Sequence, residues 1–209
     1  MTNILLVYLT TLGVVALINL LLTLRIIRLL RTNEDIRARM APREILPELT
    51  PGEQAPDFKV KTLSGEWVRL ATYAGRSIAF IFVSPHCGSC RRKMPMLTYL
   101  SVLAKESAGI EFVLVSDSGA AETYTWVDAI HEEDKVEVNM QTLIAPRQTS
   151  EFYFTYNPRG ITPYYCIINE QGIVQARDPL GMGEWPNLQR KWEGQNSIQS
   201  RTRFDSRFQ

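Results

Sequence analysis

The sequence predicts an α/β domain of three layers, a central mixed sheet flanked by helices, behind one amino-terminal transmembrane helix. Three observations carry that expectation. Strand-like apolar runs alternate with helical stretches after residue 55, a long uncharged apolar run opens the chain, and a Cys-x-x-Cys pair stands where a strand hands over to a helix. Alternation of this kind implies a sheet with helices on both faces.

The opening run is Ile4 to Leu24, 21 residues. At about 1.5 Å per residue it reaches about 31 Å, the thickness of a bilayer's hydrocarbon core. Thr10, Thr11, Asn19 and Thr23 are its polar exceptions; hydroxyls can bond back to helix carbonyls, and an asparagine can face a partner helix. No Lys or Arg precedes the run, and a bulky Leu-Arg-Ile-Ile-Arg stretch follows it. An uncleaved anchor over residues 1–24 is therefore expected rather than a cleaved signal peptide. Arg25, Arg28, Arg31, Arg37 and Arg39 all follow the span, which by the positive-inside rule would leave the domain in the cytoplasm.

Residues 25–50 read as a juxtamembrane helix and linker: an amphipathic stretch to Met40, then Pro42, Pro47, Pro51 and Gly52, which break helices. The domain proper is expected over 51–194. Phe58–Lys61 and Trp67–Leu70 flank Leu63-Ser64-Gly65, a hairpin signal. Ser77–Val83 is almost wholly apolar and suits a strand buried on both faces. A helix follows from Gly88 to about Glu106, a second buried strand over Ile110–Val115 and a helix over Ala120–His131. Val136–Val138 reads as a short strand and Ser150–Tyr156 as a short helix. Tyr164–Ile168 and Ile173–Ala176 flank Asn169-Glu170-Gln171-Gly172, a second hairpin signal, and Glu184–Trp192 closes the domain as a helix. The polar tail, 195–209, is expected to be mobile.

Composition excludes more than it selects. A formal net charge of +1 gives no reason to expect a nucleic-acid partner. Three cysteines are too few for a disulfide scaffold and, with two histidines, poor material for a metal site. One close pair plus an isolated cysteine points to redox chemistry.

Cys87-Gly88-Ser89-Cys90 carries that chemistry. A thiolate at a helix N-terminus meets unpaired N–H groups and the positive end of the helix dipole, and both lower its pKa. Cys87 sits at the turn and is the expected nucleophile. Cys90, one helical turn on, is the expected resolving thiol. Arg91, Arg92 and Lys93 add positive charge in the next turn, or else lie on a solvated face and screen out in salt. His86 either shapes the loop or relays a proton. Cys166, in an apolar run, reads as a buried, inert thiol. Trp67, Trp126, Trp185, Trp192 and Phe152-Tyr153-Phe154 read as packing residues.

Ser84-Pro85-His86-Cys87-Gly88-Ser89-Cys90, with Pro95 five residues beyond, resembles the thioredoxin superfamily, whose active-site helix carries a proline at this offset. Gly160-Ile161-Thr162-Pro163, followed by an apolar strand and turn, is similar to that superfamily's cis-proline loop. The resemblance implies a thioredoxin-like fold, a cis Thr162–Pro163 bond beside Cys87, and a Thr162 backbone edge that pairs with a substrate strand and keeps metal from the cysteines. Pro51-Gly52-x-x-Ala55-Pro56-Asp57-Phe58 resembles the entry to the TlpA/ResA and peroxiredoxin-like domains. The span, the arginines after it and Ser84-Pro85-x-Cys87 are similar to the MauD family, accessory proteins of methylamine dehydrogenase maturation.

The departures are specific. Ile81 stands where many thioredoxins bury an acid, and Lys93 where many ResA-type members have a Glu, so the usual proton acceptor for Cys90 is missing. His86, Asp57 or water could replace it. A peroxiredoxin would need Pro seven residues and Thr or Ser three residues before its reactive cysteine; Ser84 fills the second position, but Phe80 occupies the first.

The resemblance thus implies a membrane-anchored thiol-disulfide oxidoreductase acting on protein thiols and disulfides, with no cofactor. A separate electron donor or acceptor, such as a membrane thiol reductase, resets the pair. Clients of the methylamine dehydrogenase or cytochrome c type, and an extracytoplasmic (periplasmic or outer-face) domain, come from the resemblance alone; disulfide handling by anchored enzymes is usual there. An anchored assembly factor that only binds clients, and a thiol peroxidase, are the alternatives.

Overall fold

The computed structural model describes residues 12–25 and 48–194. The chain divides into two units, Met1–Glu44 and Ile45–Gln209.

In the first unit, residues 12–25 form helix α1. Apolar side chains ring it, among them Leu12, Val14, Leu17, Ile18, Leu21 and Leu24, all exposed. Its polar residues turn inward to the backbone: Asn19 Nδ2 donates to the Val15 carbonyl and Thr23 Oγ1 to the Asn19 carbonyl. Among the described residues no helix is long and apolar enough to cross a membrane. The expected span extends back to Ile4, outside the described residues, as do most of the 25–50 linker and the 195–209 tail.

The second unit is built on seven strands: β1 (Lys59–Thr62), β2 (Trp67–Arg69), β3 (Ser77–Val83), β4 (Ile110–Ser116), β5 (Gln141–Ile144), β6 (Tyr164–Ile168) and β7 (Val174–Pro179). They lie in the order β2-β1-β5-β4-β3-β6-β7. β4 runs parallel to β3 and β5; every other pairing is antiparallel. Helices α2 (Gly88–Ala108), α3 (Ala120–Asp134) and α4 (Glu151–Tyr156) lie between strands, and α5 (residues 185–194) follows β7.

Two apolar layers hold the sheet between them, and strand alternation sorts residues into them. Ala79, Ile81 and Val83 of β3 pack with Leu97 and Leu100 of α2, Trp126 and Ile130 of α3, and Trp185 and Trp192 of α5. Ile78, Phe80 and Phe82 face the other way, onto Phe58, Tyr73 and the α4 residues Phe152, Tyr153 and Tyr156. The second layer is aromatic: the Phe80 ring meets Phe58, Tyr73, Phe152 and Tyr156 edge-on at 5.5–5.8 Å between centroids. Edge-to-face pairs of this kind contribute about 0.5–1.5 kcal/mol each beyond their burial.

Two expectations need correction. Val136–Val138 is not a strand; both valines are half-buried against the first layer, but the strand beside β4 is β5. Alternating valines satisfy a core without a hydrogen-bonded neighbour, so the pattern alone misleads. Trp67 is not a packing residue. It is 58% exposed on the edge hairpin, with the Lys59 and Lys61 ammonium groups 4.6 and 5.1 Å from its ring centroid.

At the opposite edge, residues 52–55 pair with the turn that opens β7: Gly52 N donates to the Val174 carbonyl, Val174 N to the Glu53 carbonyl and Ala55 N to the Gly172 carbonyl. This satisfies the edge groups at the start of the strand.

Candidate active site

β3 ends at Val83, and a tight turn through Ser84 carries the chain into α2. Cys87 N donates to the Ser84 carbonyl (3.1 Å) and His86 N to Ser84 Oγ (3.3 Å). Pro85 is half-buried in this turn. Cys87 is the N-cap of α2: its backbone is extended (φ −96°, ψ 101°), and its Sγ accepts from Cys90 N at 3.3 Å. A sulfur thus takes the place that a Ser or Asp oxygen usually fills at a helix start. Gly88 and Ser89 form the first turn of α2, with Gly88 exposed.

The two thiols differ sharply. Cys87 is partly exposed, and Cys90 is fully buried beside Ile81, Met94 and Leu97. Burial opposes ionisation of Cys87, but hydrogen bonds from the Cys90 side chain and amide, from the Thr162 side chain and from the Ser89 amide outweigh it, and its pKa is lowered. Burial, then the bond to Cys87, pushes Cys90 up to about 12. The outer sulfur is the more readily ionised of the two, and the inner one is kept as a thiol.

The Pro163 loop closes the site from the other side. The Thr162–Pro163 peptide bond is cis, as the resemblance implies. The Cys87 thiol donates to the Thr162 carbonyl at 3.5 Å, across 75 residues of sequence. The buried side chain of Asn157 holds this loop: Nδ2 donates to the Ile161 carbonyl (2.8 Å), and Oδ1 accepts from Ile161 N (3.2 Å). Gly160 sits at φ +60°, a left-handed conformation that L side chains rarely adopt, and its carbonyl accepts from the Arg147 guanidinium. Leu180 N donates to the Pro163 carbonyl (2.9 Å) and ties the loop to the end of β7.

Some expected neighbours are engaged elsewhere. The His86 imidazole is 73% exposed and meets Glu122 Oε1, in the first turn of α3, at 2.7 Å. Arg91 is bound to Glu133 (2.7 Å) and Asp134 (2.8 Å) at the end of α3, so its charge is spent away from the sulfur. Asp57 lies towards the opposite end of the sheet, in a cavity of about 340 Å³ that it lines with Ile78, Ile168 and Asn169. It receives Leu70 N there and is not placed to serve Cys90. Cys166, on β6, is buried in the second layer opposite Phe80 of β3, and is also pushed up to about 12 by burial. The sheet separates it from Cys90. Asn157, Glu122 and Arg147 carry no motif that would have singled them out.

A partly exposed thiol whose pKa is lowered, backed by a buried partner, on this fold, defines the class: a thiol-disulfide oxidoreductase of thioredoxin-like fold. The chain belongs to the AhpC/TSA family, which matches residues 51–177, more than half of its length. It is similar to the thioredoxin-like protein YneN of Bacillus subtilis (strain 168), 31% identical over 125 residues that make up 59% of this chain and 68% of that protein. It is also similar to the methylamine utilization protein MauD of Methylobacillus flagellatus, 26% identical over 133 residues. That match takes in 60% of this chain but only 56% of MauD. Among solved structures, the thioredoxin domain of a thiol-disulfide oxidoreductase from Bacteroides vulgatus matches with a TM-score of 0.52 at 21% identity, over 68% of this chain and 98% of that one. That likeness is one of fold.

Proposed function

We propose that this chain exchanges a Cys87–Cys90 dithiol or disulfide with protein substrates, as a membrane-anchored enzyme. The observation that carries the reading is the asymmetry of the pair: one accessible thiol whose charge is stabilised, one buried thiol a helical turn behind it. In the reducing direction, the Cys87 thiolate attacks one sulfur of a client disulfide. A mixed disulfide forms and the other client sulfur leaves as a thiolate, which takes up a proton. Cys90 then loses its proton and attacks Cys87 Sγ, releasing the second client sulfur and leaving the Cys87–Cys90 disulfide. A separate dithiol donor restores the pair. Run backwards, the same steps oxidise a client.

Among the described residues, no acidic or basic side chain figures in the surroundings that shift Cys90. Its polar neighbours are Cys87, Thr162 and the Ser84 backbone. The departing client thiolate or water is therefore the acceptor we assign for its proton. The Thr162 backbone edge is proposed as the strip that a client lies along, with Pro85, His86, Gly88, Ser89 and Pro163 shaping the surface around Cys87. Phe80 is wholly enclosed by aromatic rings in the middle of β3, which gives the peroxidase alternative no support at that position.

Membrane anchoring rests on the Ile4–Leu24 run and on the apolar surface of α1. An extracytoplasmic domain, and clients of the methylamine dehydrogenase or cytochrome c type, rest on the resemblance to MauD and the TlpA/ResA-like branch. The test of the exchange reading is a Cys90→Ser chain, which should accumulate a mixed disulfide through Cys87 that dithiothreitol releases. Non-covalent capture of clients, unaffected by Cys87→Ser and Cys90→Ser together, would instead identify an assembly factor.

A further inference from the structure

We propose that Glu48 is a positioning residue for client docking: a single carboxylate that braces both flanks of the Pro163 loop. This rests on the exchange reading and assigns a role within it to a residue that precedes the matched family region.

Glu48 Oε1 accepts from Arg159 Nε and Oε2 from Arg177 Nη2, contacts that span 111 and 129 residues of sequence. Arg159 stands four residues before Pro163. Arg177, on β7, uses Nη1 to reach the hydroxyl of Tyr164, the residue after Pro163, at 3.1 Å. The chain of contacts Arg159–Glu48–Arg177–Tyr164 therefore brackets the loop from outside, while Asn157 grips Ile161 from inside.

Burial makes the bracket more than a surface ion pair. The Glu48 and Arg177 side chains are 22% and 15% exposed. Arg177 Nε is buried with no hydrogen-bond partner among the described residues. Removing Glu48 would leave a largely desolvated guanidinium held by one phenol, a costly arrangement that favours movement of the segment carrying it. Arg159 would be released at the same time.

What moves is the client's seat. Ile161 is partly exposed, and the Thr162 carbonyl lies 3.5 Å from Cys87 Sγ. A protein disulfide must lie across that edge to bring its sulfur to Cys87, whereas a small disulfide needs only the sulfur. Glu48 thus acts on the affinity for protein disulfides and leaves the thiol chemistry alone.

The test compares the full-length chain with Glu48→Gln, which removes the charge and keeps the shape. Arg159→Gln is the second variant, since that arginine is 59% exposed and its loss cannot unfold the core. Each is assayed for reduction of insulin, with dithiothreitol as donor, and for its rate with a small aromatic disulfide. The expected result is a KM for insulin raised roughly fivefold or more in Glu48→Gln, in the same direction in Arg159→Gln, with kcat and the small-disulfide rate held. Glu48→Asp should recover part of the loss. Parallel loss of both activities, or no change in either, would overturn the proposal. A native chain that reduces neither disulfide would overturn the exchange reading and this proposal with it.

Discussion

At the scale of single residues, function comes down to how one helix start treats two sulfurs. The Cys87 sulfur caps α2, and the Cys90 sulfur is buried behind it, so a single turn of helix separates a stabilised thiolate from a suppressed one. Reduced protein alkylated with iodoacetamide from pH 5 to pH 9 should show a Cys87 midpoint below the ordinary thiol value of about 8.5. Cys90 and Cys166 should stay unlabelled in peptide maps until the chain is unfolded. Glu48 makes a second prediction. Its hydrogen bond to Arg177, then that to Arg159, holds its pKa below 4.5 against the opposing effect of burial. Between the folded and unfolded values the unfolded chain binds the extra proton, so stability rises with pH there. The contribution is complete above about pH 4.5 and is lost as pH falls through the folded value. Urea midpoints measured from pH 6 down to pH 3 should fall less steeply in Glu48→Gln than in the native chain. The cysteines were legible in the sequence because their spacing is local, and Pro163 because the loop, strand and turn around it resemble those of a known superfamily. Glu48, Asn157 and the His86–Glu122 contact were not, because each owes its meaning to a fold that closes long stretches of chain.

At the scale of elements, the clearest sequence signals were the doubly buried ones. β3 and β6 fall on the expected residues because a strand covered on both faces must be apolar throughout. β5 was missed because Gln141-Thr142-Leu143-Ile144 is short and half polar, while Val136 and Val138 imitate a strand. α2 was legible in type and nearly in length. Its buried positions Cys90, Met94, Leu97, Leu100 and Ala104 follow the helical repeat, and Gly109 ends it in the left-handed conformation at φ 64°. Leu100 is fully buried between α2 and the sheet. Leu100→Ala should cost about 2–5 kcal/mol in urea unfolding, with the Cys87 alkylation midpoint unchanged, since the cavity opens about three turns from the helix start.

At the scale of the whole molecule, the sequence speaks first of a membrane and then of a redox domain. The domain's architecture was legible because alternating strands and helices leave few ways to cover a sheet. The anchor remains a reading of hydropathy, carried by the Ile4–Leu24 run. Full-length chain should stay in the pellet after alkaline carbonate extraction, and a chain lacking residues 1–24 should not. An impermeant thiol reagent should label Cys87 on intact cells if the domain is extracytoplasmic; protection until lysis would place it in the cytoplasm, as the arginines after the span would have it.

The central claim is that Cys87 and Cys90 are one redox couple. It is tested most directly by equilibrating the full-length chain with glutathione buffers of graded poise and reading free Cys87 by alkylation. The account predicts a single two-electron transition, with a midpoint between about −270 mV, typical of reducing domains, and about −120 mV, typical of oxidising ones. It also predicts that the transition vanishes in Cys90→Ser. A Cys87 that remains free at every poise would contradict it.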